Sequence, residues 1–151
     1  MEIERKFLIK TLPDNLSDFP AHTIEQGYLC TCPVVRIRRQ DDSYILTYKS
    51  KGMMTREEYN LPLTKEAYEH LKPKTDGIFI EKTRYVIPIE NHLNIELDIF
   101  HGAHEGLILA EVEFPDEDTA NKYQPPAWFS EEVTFSSEYH NSSLSQRPIL
   151  P

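Results

Sequence analysis

Glycine is scarce, with only five in 151 residues. A glycine-rich phosphate loop needs several at fixed spacing and is excluded. Cysteine is scarcer still: Cys30 and Cys32 are the two present. They sit two apart on one expected strand, where side chains point the same way and do not easily form a strain-free bridge. Partners for a cysteine metal clamp are lacking, so both read as free thiols. No run of about 18 apolar residues occurs, which excludes a membrane-spanning helix. The opening Met1-Glu2-Ile3-Glu4-Arg5-Lys6 has no apolar stretch or cleavage site of the secretory kind, and a cytoplasmic location is expected. Bases are in deficit, 16 against 25 acids, for a net charge of −9. That balance excludes a broad basic face for nucleic acid. It does not say where individual bases lie.

What is present is a chain of ordinary globular composition, 39% hydrophobic and 27% charged, long enough for a single domain over 1–151. Short runs of period two recur between turn signals. They predict strands near 2–10, 23–31, 34–40, 43–50, 55–63, 78–89, 93–100 and 107–114. Asp41-Asp42-Ser43 reads as a tight hairpin connection. Thr64 is an expected N-cap for a helix over 65–72, with Pro73 just past its end. Further helices are expected near 116–123 and 137–146, separated by Pro125-Pro126. Eight antiparallel strands in meander order suffice to close a barrel. The expected class is therefore mainly β (α+β): an eight-stranded closed antiparallel barrel with a few covering helices and a C-terminal helix. A two-sheet sandwich is the alternative.

Parity assigns each side chain to a face. Glu2, Glu4 and Lys6 share one face of the first strand, opposite Ile3, Arg5, Phe7 and Ile9. Arg36 with Arg38, Thr47 with Lys49, Arg56 with Glu58 and Asn60, Lys82 with Arg84, Glu96 with Asp98, and Glu111 with Glu113 continue the pattern. Single pairs of this kind are usually solvated. The set is different, because like charges two apart repel and folding gains nothing from them. A divalent cation would neutralise the acids, and a polyanion the bases. Carboxylate clusters suit hard cations such as Mg²⁺ or Mn²⁺, and arginine and lysine suit phosphate oxygens. With the charges inside, the apolar face points outward and is expected to be covered by the helices and the C-terminal segment.

These residues resemble a known family. Glu2-Ile3-Glu4-Arg5-Lys6 has the form ExExK at the N-terminus, the signature of the CYTH superfamily, also called triphosphate tunnel metalloenzymes. The resemblance continues in order through Gln26-Gly27-Tyr28-Leu29, Arg36-Ile37-Arg38, Thr47-Tyr48-Lys49-Ser50, Arg56-Glu57-Glu58-Tyr59, Glu81-Lys82-Thr83-Arg84-Tyr85, Glu96-Leu97-Asp98, Glu111-Val112-Glu113-Phe114 and Glu131-Glu132-Val133-Thr134. It implies an eight-stranded charged tunnel, with Glu2, Glu4 and Glu113 holding the metal and Glu111 as the nearest extra ligand. Lys6, Arg36, Arg38, Lys49, Lys82 and Arg84 would bind the triphosphate. Glu58, Glu96 and Asp98 would help place a second metal or the attacking water, and Tyr28 would lie near the reacting phosphate. Two departures stand out. Asn60 replaces an acid found in many relatives, and the plug-like segment Glu138–Leu144 carries His140 and Ser142 where relatives often have lysine. His140 is therefore expected to be a surface or packing residue. The activity implied is hydrolysis of inorganic triphosphate to diphosphate and phosphate. A class IV-like adenylate cyclase, a thiamine triphosphatase, a non-catalytic polyphosphate-binding module and an acidic interaction domain are the alternatives. The first two need a pocket for an organic group, and no base-recognition motif is found. The partner is a small triphosphate, with no nucleic acid and no membrane; self-association into a homodimer stays open.

Overall fold

Alternating side chains become one antiparallel sheet. A computed structural model describes residues 3–51 and 57–146. Its strands are β1 (Ile3–Ile9), β2 (Ala21–Thr31), β3 (Val34–Gln40), β4 (Ser43–Lys49), β5 (Glu58–Pro62), β6 (Asp76–Pro88), β7 (Asn94–His101), β8 (Ile108–Phe114) and β9 (Phe129–Glu132). The helices are α1 (Lys65–Leu71), α2 (Glu117–Lys122) and α3 (Asn141–Leu144). The eight expected strands are present, and β9 is an addition. The long C-terminal helix expected over 137–146 is instead a 3-10 turn, Ser137–Tyr139, followed by one turn of α-helix. Polar Ser and Asn fill this stretch, and such side chains compete with helical backbone bonds.

The strand order is β5-β4-β3-β2-β6-β7-β8-β1-β9. It departs from the expected meander in two places: β2 pairs with β6, and β1 lies between β8 and β9. Among the described residues β5 and β9 are the edges, so the ladder there is not closed by hydrogen bonds, in contrast to the closed barrel expected. Both edges are short, five and four residues. Pro62 ends β5 without a donor, and short edges with proline resist further pairing. The sheet nevertheless encloses its charged face. Gln26, Lys82 and Asp98 on that face are 0%, 1% and 3% exposed, which a flat half-solvated sheet could not achieve.

The apolar outer face is covered much as expected. Ile9, Ile87, Ile95, Leu97, Ala110, Val112 and Phe114 form a core closed by Ala120 of α2 and by Leu16, Phe19, Tyr123 and Trp128. Helix α1 starts where Thr64 Oγ1 accepts from the Ala67 amide at 3.1 Å. It sets Tyr68 5.1 Å from the Tyr44 ring and donates the Tyr68 hydroxyl to Glu25 at 2.7 Å.

The C-terminal segment behaves differently from expectation. It packs on the inner face, where Leu144 and Val133 join Tyr28, Ile80, Phe100, Leu107 and Leu109 in a second apolar cluster. Two backbone contacts fix it: His104 Nε2 donates to Leu144 O at 2.7 Å, and Ile78 N donates to Ser145 O at 2.6 Å. Gly77 permits the second. Its φ is +70°, and a Cβ there would run into Ser145 O. Because Leu144 is fully buried, Leu144→Ala is expected to cost about 2–5 kcal/mol in urea denaturation, the range for a truncated core leucine. A loss under about 1 kcal/mol would mean that the segment does not fill this end of the lumen.

Candidate active site

The inward faces of β1, β6, β7 and β8 each run from charged to apolar. Along β1 the inward residues are Glu4, Lys6 and Leu8. Along β8 they are Glu113, Glu111 and Leu109; along β7, Glu96, Asp98 and Phe100; along β6, Arg84, Lys82 and Ile80. Cross-strand register brings these series together, level between β1 and β8 and staggered by two residues from β8 to β7 and from β7 to β6. Glu4 lies opposite Glu113, Lys6 opposite Glu111, Glu96 opposite Glu111, and Arg84 opposite Asp98. The lumen therefore has an exposed acidic mouth at Glu4 and Glu113, a buried charged middle, and an apolar floor that meets Leu144.

Asp98 is the pivot of the middle layer. Its Oδ2 lies 2.8 Å from Lys82 Nζ, and Arg84 grips both its oxygens at 2.8 and 2.9 Å. Burial alone would raise its pKa, but the two cations hold it at about 2. Burial and the neighbouring arginines push Lys82 down to about 8 against the pull of Asp98. Arg84 is raised: burial opposes its charge, but Asp98 and Glu96 outweigh it. Its Nη1 also meets Glu96 at 2.6 Å. Lys6 Nζ bridges Glu111 at 3.1 Å and the carbonyl of Tyr139 at 3.0 Å. Lys49 lies 3.9 Å from Glu58, which is exposed on the edge strand β5.

Arg36 and Arg38 stand apart. Neither has a carboxylate within 4.0 Å among the described residues, although every other lumen base named above does. Their partners are neutral. Arg38 Nε donates to Gln26 Oε1 at 2.7 Å, and Arg36 Nη2 donates to Thr47 Oγ1 at 3.4 Å. Thr47 in turn donates to Asn60 Oδ1 at 2.7 Å. Burial, Arg36 and Arg84 lower the pKa of Arg38 to about 9, the signature of a cation lacking its counter-charge. Tyr28 packs into the floor beside Arg36 with its pKa raised by burial, which works against service as a base.

Of the expected metal ligands, Glu4, Glu111 and Glu113 lie along the acidic mouth and upper middle, and Glu2 lies outside the described residues, as does Arg56. Among the described residues, no three His, Cys, Asp or Glu converge closely enough to hold an ion by themselves. The donor set is all carboxylate oxygen, which fits a hard divalent cation. His140 is exposed, as expected, with its pKa lowered by partial burial and by Lys6. The segment around it reaches the charged layer through the Tyr139 carbonyl, a backbone contact no side-chain pattern reveals. Gln26 has no expected role in the site, and Thr47 is expected on the charged face with Lys49 but without a role of its own. Parity does place them there, Gln26 with Tyr28 and Thr47 with Lys49, but uncharged residues on a charged face give no signal of their own. Cys30 and Cys32 are free thiols, as expected.

A model of the CYTH domain matches residues 1–148. An inorganic triphosphatase of Nitrosomonas europaea is 43% identical over 148 residues, covering 95% of this chain and 96% of that protein. An inorganic triphosphatase of Acetivibrio thermocellus is 36% identical over 153 residues, covering 97% of this chain and 94% of the relative. The solved structure of an inorganic triphosphatase superposes with a TM-score of 0.80 at 40% identity, covering 99% of this chain and 97% of its own.

The Asp98 cluster has a measurable consequence. Its folded pKa of about 2 lies below the ordinary 3.8, so its ionised form stabilises the fold by about 2 kcal/mol near neutral pH. This contribution is complete above about pH 4 and disappears as pH falls through about 2. Asp98→Asn is expected to destabilise by about 3–5 kcal/mol at pH 7, since it strands two buried cations. The gap from wild type should narrow in acid. A gap independent of pH would mean Asp98 is not an ionised partner of Lys82 and Arg84.

Proposed function

The chain belongs to the CYTH family, and we propose that it is a divalent-metal-dependent inorganic triphosphatase. The observation that carries this reading is the Arg36–Arg38 pair: two lumen guanidinium groups on neighbouring inward positions of β3, held by neutral side chains and lacking an acidic partner among the described residues. A folded chain gains nothing from two uncompensated cations side by side. A phosphate anion supplies the missing charge, and the planar guanidinium can bind two of its oxygens at once. Two triphosphatases 43% and 36% identical over nearly the whole chain support the same substrate.

Residues then divide by what they can do. Arg36 and Arg38 grip the phosphoryl chain. Lys6, Lys49, Lys82 and Arg84 line the rest of its path and hold it against the lumen wall. Their ion pairs with Glu111, Glu58, Asp98 and Glu96 keep them extended and in place before substrate arrives. Asp98, anchored by two cations and titrating at about 2, is a poor proton acceptor and serves to position Lys82 and Arg84. Glu96 and Glu58, less buried, are better placed to orient the attacking water and take its proton. The water oxygen bonds to the terminal phosphorus as the bond from that phosphorus to the bridging oxygen breaks, and diphosphate departs with the electron pair. Glu4, Glu111 and Glu113, with Glu2, would hold Mg²⁺ or Mn²⁺, whose charge offsets that of the phosphoryl oxygens when bound.

Purified protein given Mg²⁺ or Mn²⁺ and inorganic triphosphate is expected to release phosphate and diphosphate in equal amounts. ATP and thiamine triphosphate are expected to turn over far more slowly. Arg38→Met should reduce kcat/KM about a hundredfold or more, the usual cost of removing one preorganised donor. Glu4→Gln should abolish metal-dependent turnover with the fold retained. Cyclic AMP with diphosphate from ATP would replace this reading with a cyclase, and binding without any product would replace it with a polyphosphate-binding module.

A further inference from the structure

The arginine pair lacks acidic partners because of what stands beside it. In the ladder, Gln26 of β2 lies opposite Arg38, and Thr47 of β4 lies opposite Arg36. Each is a position where a carboxylate would close the clamp on itself. Gln26 is the more informative, because it is 0% exposed and therefore has no recourse to bulk water. Arg38 Nε donates to its Oε1 at 2.7 Å. That donation fixes the orientation of the amide, since only its oxygen can accept. Nε2 and its two N–H groups face the other way. They are buried and have no acceptor among the described residues. Arg36 Nε is in the same condition. Buried donors of this kind are rare in folded chains and costly to leave unmade. Here two occur at the arginine pair, where an acceptor-rich anion would satisfy both.

We infer that Gln26 is a further substrate-contacting residue, whose Nε2 donates to a phosphoryl oxygen held by Arg38 while its Oε1 keeps that guanidinium aimed at the same oxygen. The inference rests on the proposed triphosphatase reading and extends it. The amide adds a donor without adding charge. A lysine at this position would increase the repulsion that already lowers the pKa of Arg38, and a glutamate would neutralise the clamp. Glutamine alone of the three both restrains the arginine and leaves its charge for the ligand.

Two substitutions in the full chain separate contact from scaffolding. Gln26→Met preserves length and removes both polar atoms; Gln26→Glu preserves the acceptor and adds a charge. With Mg²⁺ and inorganic triphosphate as the probe, Gln26→Met is expected to raise KM about tenfold or more, consistent with one lost hydrogen bond to a charged group. Gln26→Glu should raise KM further. It should also leave the Tm of the free protein equal or higher, since Arg38 gains a counter-ion, and shrink the Tm rise on adding triphosphate. The effects of Gln26→Met and Arg38→Met should fall short of additive, because one oxygen is shared. Variants whose KM and triphosphate-induced Tm shift stay within twofold of wild type, whatever their own Tm, overturn the inference alone. Wild-type protein with neither turnover nor a triphosphate-induced Tm shift overturns the proposed function and the inference together.

Discussion

One carboxylate between two cations, enclosed in protein, is the constraint around which the lumen is organised. Desolvating Lys82, Arg84 and Asp98 is expensive, and their mutual attraction repays it only because the contacts are short, 2.8 to 2.9 Å, and the Arg84 grip is two-pronged. The arrangement is net positive even so. Adding Arg36 and Arg38 nearby increases that excess, and Arg38 registers it as a lowered pKa. The fold thus carries a stored affinity for negative charge at a defined depth. Neutral Gln26, Thr47 and Asn60 keep the excess from being cancelled internally.

The gradient along each strand gives that charge a direction. Charged residues toward the mouth and middle and apolar residues at the floor recur on β1, β6, β7 and β8, with the bases Lys6, Lys82 and Arg84 interleaved among the acids of β7 and β8. An anion approaching past carboxylates would be repelled unless cations accompanied it, so the proposed metal and phosphate would be coupled by geometry as well as by chemistry. The floor fixes the depth. Its apolar side chains have nothing to offer a phosphate and exclude water, which strengthens every electrostatic contact above them.

Most of this was legible in the sequence because charge obeys parity. Paired acids at 96 and 98 or 111 and 113, and paired bases at 36 and 38 or 82 and 84, can only share a face, and the enclosed face follows from their number. The failures have physical causes. Strand β9 is four residues long, too short for alternation to rise above chance. The pairing of β2 with β6 and the seat of β1 between β8 and β9 are non-local, and no local signal encodes them. The segment around Leu144 is mostly polar, so its docking inside the sheet rests on few apolar side chains, Leu144 and Tyr139, and on backbone contacts to Lys6, Ile78 and His104 that no local pattern encodes. Gln26 and Thr47 give no functional signal in the sequence because a neutral residue among charges resembles filler, when here its neutrality is what matters.

The filled floor also constrains traffic. Among the described residues, Leu144, Phe100 and Leu109 pack together and fill the apolar end of the lumen, an end that offers a phosphate no partner. An anion that enters at the charged mouth is expected to leave by it. On the proposed reading, a long phosphate polymer would present its tip to the charged layer and would not thread past the apolar end. Under the proposed function, diphosphate and orthophosphate would then share the route that substrate takes, and product release becomes a natural candidate for the slow step of each cycle.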